Sequence, residues 1–189
     1  MRVWSRLRSF DAKQWDWCHA EPFSWGRAGH CCRRAVWLQA TLAAYARSIG
    51  LECASLFLDL EKFYEHVSHE KLRHEASSTE FPLALLRGLT TLYAGWRSVK
   101  VGGAASEPFQ ANSSIWVGCS CATTLARVLL CRLLLSVQRR CSSVCSVNVV
   151  DDVSATVVGI RDTAIRCLSG ATSDLIDGRG EASFAVANQ

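Results

Sequence analysis

Apolar positions recur along this chain in two rhythms, one helical and one extended. Over Arg33–Ile49 (RRAVWLQATLAAYARSI), Val36, Leu38, Leu42, Tyr45 and Ile49 fall largely on one helical face, and Gly50 follows as a stop signal. Cys53–Leu60 (CASLFLDL) is a short continuous apolar run after a glycine, which predicts a buried strand. His69–Ala76 and Pro82–Tyr93 read as helices, the second with Pro82 in its first turn and Leu85, Leu86, Leu89 and Leu92 at helical spacing. Arg97–Val101, Gly102-Gly103 and Glu107–Ala111 predict a hairpin with a glycine turn. A glycine-containing loop at Trp116–Ser120 leads into a long helix, Cys121–Gln138. Val144–Val150 and Val153–Val158 are β-branched runs parted only by Asp151-Asp152, the pattern of a tight hairpin with acids at its tip. Asp162–Ile176 reads as a helix and Ala182–Val186 as a last strand. Residues 1–30 show no sustained period and support only short turns near Pro22 and Gly26. This order predicts an α+β fold, with helices backing one face of a mostly antiparallel sheet.

Composition narrows the class. The 189 residues are 49% hydrophobic and 20% charged, which suits one domain with a real core and excludes a disordered chain. The net charge of +4 is uneven: residues 1–34 carry seven Lys/Arg against three Asp/Glu, and the rest is balanced at fourteen each. A basic, Trp-rich segment at 1–32 leading a neutral core is compatible with nucleic acid binding, although the tryptophans there read more readily as packing residues than as base-stacking ones. The most apolar stretch, Cys121–Val137, holds Arg127 and Arg132 and is too short for a membrane span, so a core helix is expected and no membrane partner. No secretory signal opens the chain, and the ten irregularly spaced cysteines read as reduced thiols of an intracellular protein. Cys18-His19 and His30-Cys31-Cys32 offer zinc ligand types without the second half of a CxxC pattern. His66, His69 and His74 are expected in surface or capping roles, and Arg139-Arg140 either at a phosphate or against the helix dipole.

Three carboxylates interrupt apolar strands: Asp59 near the end of LFLDL, and Asp151 and Asp152 at the crest of VNVVDDVSATVV. Charges in such places must be hydrated, paired or bound to a cation. If the Asp59 strand lies beside the hairpin, all three acids meet at one sheet end and form an oxygen-ligand site for two Mg²⁺, or Mn²⁺. The plainer alternatives are that Asp151-Asp152 is ordinary turn chemistry and that Asp59 caps a following helix.

In combination, these segments resemble the catalytic motifs of reverse transcriptases of the non-LTR retrotransposon and group II intron type. LFLDLEKFYEHVSHEKL (56–72) is similar to the first palm motif, WVGCSCATTLARVLL (116–130) to the glycine loop and long helix, and VNVVDDV (147–153) to the strand–Asp–Asp–strand hairpin, in family order. The resemblance implies a polymerase palm over 33–189, truncated at its C-terminus, with residues 1–32 as a fingers remnant and no thumb. It implies RNA-directed DNA synthesis from deoxynucleoside triphosphates (dNTPs) on an RNA template and DNA primer. Asp59, Asp151 and Asp152 would be the catalytic and metal residues, Tyr64 the sugar gate, and Gly118 the loop glycine beside the substrate. The sequence departs from the family at Val149, Val117 and Ala122-Thr123, where a Tyr, a Gln and a Ser-Pro are usual, and shows no lysine near Ala185–Gln189. The alternative is a catalytically inactive retroelement-derived fragment that only binds nucleic acid or acts as an interaction domain.

Overall fold

The computed structural model of the protein describes residues 2–27, 29–111 and 113–180. Seven helices are assigned: α1 (Arg2–Cys18), α2 (Cys32–Ser48), α3 (Phe63–His66), α4 (His69–Ser78), α5 (Leu83–Tyr93), α6 (Ala122–Arg140) and α7 (Arg161–Gly180). The strands are β1 (Glu52–Leu58), β2 (Trp96–Arg97), β3 (Lys100–Val101), β4 (Ala104–Ala105), β5 (Phe109–Gln110), β6 (Val144–Val149) and β7 (Asp152–Gly159). The architecture is mixed helix and small antiparallel sheets. The main sheet has the order β1-β7-β6, and β2-β5 and β3-β4 form two short ladders closed by the Gly102-Gly103 turn. No described helix is long and apolar enough to cross a membrane.

Strand alternation sorts the main sheet into two faces. Leu56 pairs with Ala155 and Leu58 with Val153, and these side chains join the hydrophobic core together with Ala164, Ala171 and Leu175 of α7. Helix α6 runs through the centre of that core. Leu125, Val128, Leu130, Leu134 and Val137 are all buried, as expected of a helix apolar nearly all round. Leu85, Leu86 and Leu89 of α5 and Leu72 of α4 close it from the other side.

The opposite sheet face has polar groups at its centre and Phe57, Val147 and Val149 around them. Ser55 and Thr156 share a hydrogen bond there at 3.0 Å, and Gln39 of α2 donates to Ser154 Oγ at 2.6 Å. Helices therefore cover both faces of the sheet, not the single face expected. The surface opposite α2 also explains why its predicted apolar face is rotated. Ala35 and Ala46 are buried because small side chains allow close approach, whereas Val36, Tyr45 and Ile49 remain exposed.

Residues 1–30 depart furthest from expectation. Arg2–Cys18 is a full helix docked on α5 and α6. Trp15 is buried, donates from Nε1 to the Thr79 carbonyl at 2.7 Å and meets Phe81 edge-on. Trp4 lies over Gly88 so closely that a Cβ at residue 88 would sit 2.6 Å from the indole. Trp17, in contrast, is exposed. His69 is buried, with Nε2 bonded to the Ser114 carbonyl at 2.8 Å, so it is neither a surface nor a capping residue. All ten cysteines are free. The last strand expected at Ala182–Val186 lies outside the described residues.

Candidate active site

The register of the main sheet brings the distant acids to one end. Leu58 pairs with Val153, so Asp59 leaves β1 one step later, beside Asp152 at the start of β7. The hairpin itself is shifted by one residue from expectation. Val149 pairs with Asp152, so the two turn residues are Val150 and Asp151, and Asp152 belongs to the strand. Val150 takes φ +63, while Asp151 stays at negative φ, the pattern of a type II′ turn. Glycine is the usual residue at that first position, and a β-branched side chain there is strained.

Asp59 and Asp152 line one cavity of about 490 Å³ between α2 and the sheet, with Gln39, Phe57, Val149 and Ser154 among its walls. The Asp152 carboxyl is held above the ordinary carboxylate range, first by partial burial and then by the charges of Asp151 and Asp59. Asp152 thus feels the negative charge of both other acids. Among the described residues none of the three carboxylates has an ion-pair or hydrogen-bond partner. Asp59 does not cap the next helix; that position is Lys62, in the left-handed region at φ +47.

Tyr64 lies within electrostatic reach of Asp151. Burial and then the Asp151 charge push its hydroxyl up to about 12. Its ring meets Phe63 edge-on at 5.4 Å, and its carbonyl accepts from Ile115 N at 2.7 Å. A second backbone bond, Ser114 N to the Val67 carbonyl at 2.8 Å, ties the same loop to the end of α3. That loop continues into a turn in which Cys119 N donates to the Trp116 carbonyl at 3.0 Å. Gly118 occupies its third position at φ +83, a type II geometry that a side chain would strain. Gly118 borders open space and is exposed, so ligand could reach it.

Carboxylate oxygens are the right donors for hard divalent cations, and the crowding of unpartnered negative charge is what such a cation would relieve. As the side chains stand, no three His, Cys, Asp or Glu groups among the described residues converge closely enough to hold a metal ion. The zinc ligand types at Cys18-His19 and His30-Cys31-Cys32 do not assemble either: His19 stacks on Trp15, and His30 packs against Trp25. Arg140 is engaged with Asp174 of α7 at 2.6 Å.

Two features of the site carry no sequence signal strong enough to find them. The first is Asn148, fully buried at the base of the turn, whose side-chain amide donates to the Val150 carbonyl at 3.0 Å and the Asp152 carbonyl at 3.3 Å. The second is Cys119, directly after Gly118. The neighbouring Cys121 thiol outweighs burial and draws the Cys119 thiol down to about 6. The CxC spacing was the only hint in the sequence. No protein-family model matches the chain, and no curated protein is significantly similar to it.

Proposed function

We propose that this chain is a reverse-transcriptase-like palm that supports RNA-directed DNA synthesis, with Asp59, Asp151 and Asp152 as its catalytic carboxylates. The observation that carries the reading is the strand register that brings Asp59 to the same sheet end as the Asp151-Asp152 turn. In the reaction, a primer 3′-hydroxyl attacks the α-phosphorus of a dNTP. The new P–O bond forms as the bond to pyrophosphate breaks, and the hydroxyl proton leaves to solvent.

Asp59 and Asp151 would hold two Mg²⁺, with Asp152 in support. Two such ions, when bound, would supply activation of the hydroxyl and neutralisation of the leaving pyrophosphate. The residues' own contributions are simpler. Tyr64 presents an aromatic surface fixed by Phe63 and by its backbone bond to Ile115, suited to lie under a sugar and discriminate at its 2′ position. The Gly118 turn leaves room for backbone to approach a nucleotide.

A metal-dependent primer-extension assay on the chain and on Asp151→Ala tests the reading. Extension by the wild type and none by the variant is expected; equal activity in both ends it. A second reading is favoured by the three acids not converging on one point as placed: a retroelement-derived fragment that binds nucleic acid without extending it. Binding that weakens steeply with added salt, without extension, would identify that case.

A further inference from the structure

The acid-bearing turn is held from outside the main sheet. β6 is an edge strand, and residues 23–26 lie along its free side. Asn148 N donates to the Phe23 carbonyl at 2.7 Å, and Trp25 N donates to the Asn148 carbonyl at 2.8 Å, with a parallel bridge between Ser24 and Asn148. Both backbone polar groups of Asn148 are therefore used by this segment, while its side chain spans the turn to Val150 and Asp152. Phe23 and Ser24 are buried in the contact. Gly26 then passes directly over the turn: a Cβ there would stand 2.9 Å from Val150 N and 3.1 Å from Val150 Cγ2. Gly26 itself is not in a positive-φ conformation. Its lack of a side chain thus matters for space and not for backbone freedom.

From this geometry we infer that residues 23–26 form a clasp that holds the strained Val150–Asp151 turn in place, and that Gly26 and Asn148 are positioning residues for Asp151. Strain at Val150 persists only if the surroundings over-determine it. The clasp and the Asn148 amide supply that constraint from both sides. The inference rests on the proposed role of the acids for its purpose, but the clasp itself can be tested without a metal.

Amide hydrogen exchange on the full chain is the primary test. Gly26→Ala and Asn148→Ala should each raise exchange at residues 150–153 about tenfold, with protection of α6 unchanged. Unchanged exchange at the turn, or an equal rise throughout α6, overturns the clasp. If Gly26→Ala fails to fold, Asn148→Ala decides alone. Adding Val150→Gly to Gly26→Ala should restore only part of the protection, because glycine takes the turn conformation freely and removes the Cγ2 contact, while the 2.9 Å contact with the backbone N of residue 150 remains. Mn²⁺ titration of the same proteins separates the two claims. Affinity about tenfold weaker in the clasp variants is expected, the size typical of residues that orient ligands. Wild-type affinity in variants with a loosened turn overturns the positioning role. A wild type that binds no Mn²⁺ sinks the proposed function, and the exchange result still decides the clasp.

Discussion

Helix α1 is attached through a buried ion pair whose removal makes a quantitative test of the packing. Arg127 of α6 is only 3% exposed and donates to Asp16 of α1; its other terminal nitrogen donates to the His19 carbonyl at 2.8 Å. Asp16 also accepts from Thr124 Oγ1 at 2.9 Å, and the guanidinium lies 5.8 Å from the Trp15 ring centre. Burial raises the Asp16 carboxyl and lowers the Arg127 guanidinium, in each case outweighing the attraction of the partner. Desolvation therefore dominates this pair, and the pair as a whole adds little to stability. Breaking it is another matter, because Asp16→Leu leaves a cation buried beside an apolar helix. Loss of one partner of a buried pair costs about 3–5 kcal/mol, and the lower end applies because Asp16 keeps some solvent contact. A loss of about 3 kcal/mol lowers Tm by about 6–12 °C in a chain of this size. Arg127→Met should cost less, since the carboxyl it leaves behind can take up a proton or water. The double variant Asp16→Leu/Arg127→Met should return to within about 1 kcal/mol of the wild type. Urea and thermal melts followed by circular dichroism give the four corners of the cycle. Additive losses, or a single Asp16→Leu variant indistinguishable from wild type, would refute the reasoning.

Other consequences are directly measurable. The Asp152 carboxyl is raised in the fold, so the folded state holds its proton more tightly than the unfolded chain; its stabilising contribution is present at low pH and lost as pH rises through the folded value. Asp152→Asn should thus melt above the wild type at pH 7, with the difference vanishing near pH 3, where the carboxyl is protonated in both states. An unchanged Tm at pH 7 would contradict the crowding of the acids. Cys119, with a thiol near 6, should be alkylated by iodoacetamide faster than the other cysteines at pH 7, and the rate should fall as the pH drops through about 6. Peptide mapping after brief labelling reads this out, and preferential labelling of an exposed thiol such as Cys18 instead would count against it. Leu125→Ala removes a fully buried side chain from the centre of α6 and should cost about 2–5 kcal/mol in urea melts.

The resemblance to reverse transcriptases rests on short motifs in a fixed order. The strand before Asp59 and the hairpin that carries Asp151 and Asp152 are neighbours in the sheet. The turn at Val150 shows where the family-like pattern and local propensity disagree. A valine at a position that favours glycine is costly, and the structure surrounds it with the Asn148 amide and Gly26.

What the sequence determined by itself were the elements whose signal is local: α2, β1, α4, α5, α6, the acidic hairpin and α7 follow from periodicity, turn residues and β-branched runs. It also showed Arg127 and Arg132 as charges within an apolar stretch; Arg127 is the buried one of the two. Only the tertiary structure supplied its partner, Asp16, 111 positions away, because nothing in a local pattern encodes a pair that distant. The same holds for the rotated face of α2, which was decided by the sheet surface it meets, where Gln39 bonds Ser154, and that surface is not written in the helix sequence. Helix α1 left a fainter trace: Trp4, Ala12 and Trp15 share a face, but exposed aromatic Trp17 blurs it. Residues 23–26 left none, since their role is carried by backbone groups and by the absence of a Cβ, and these become informative only when another strand lies against them.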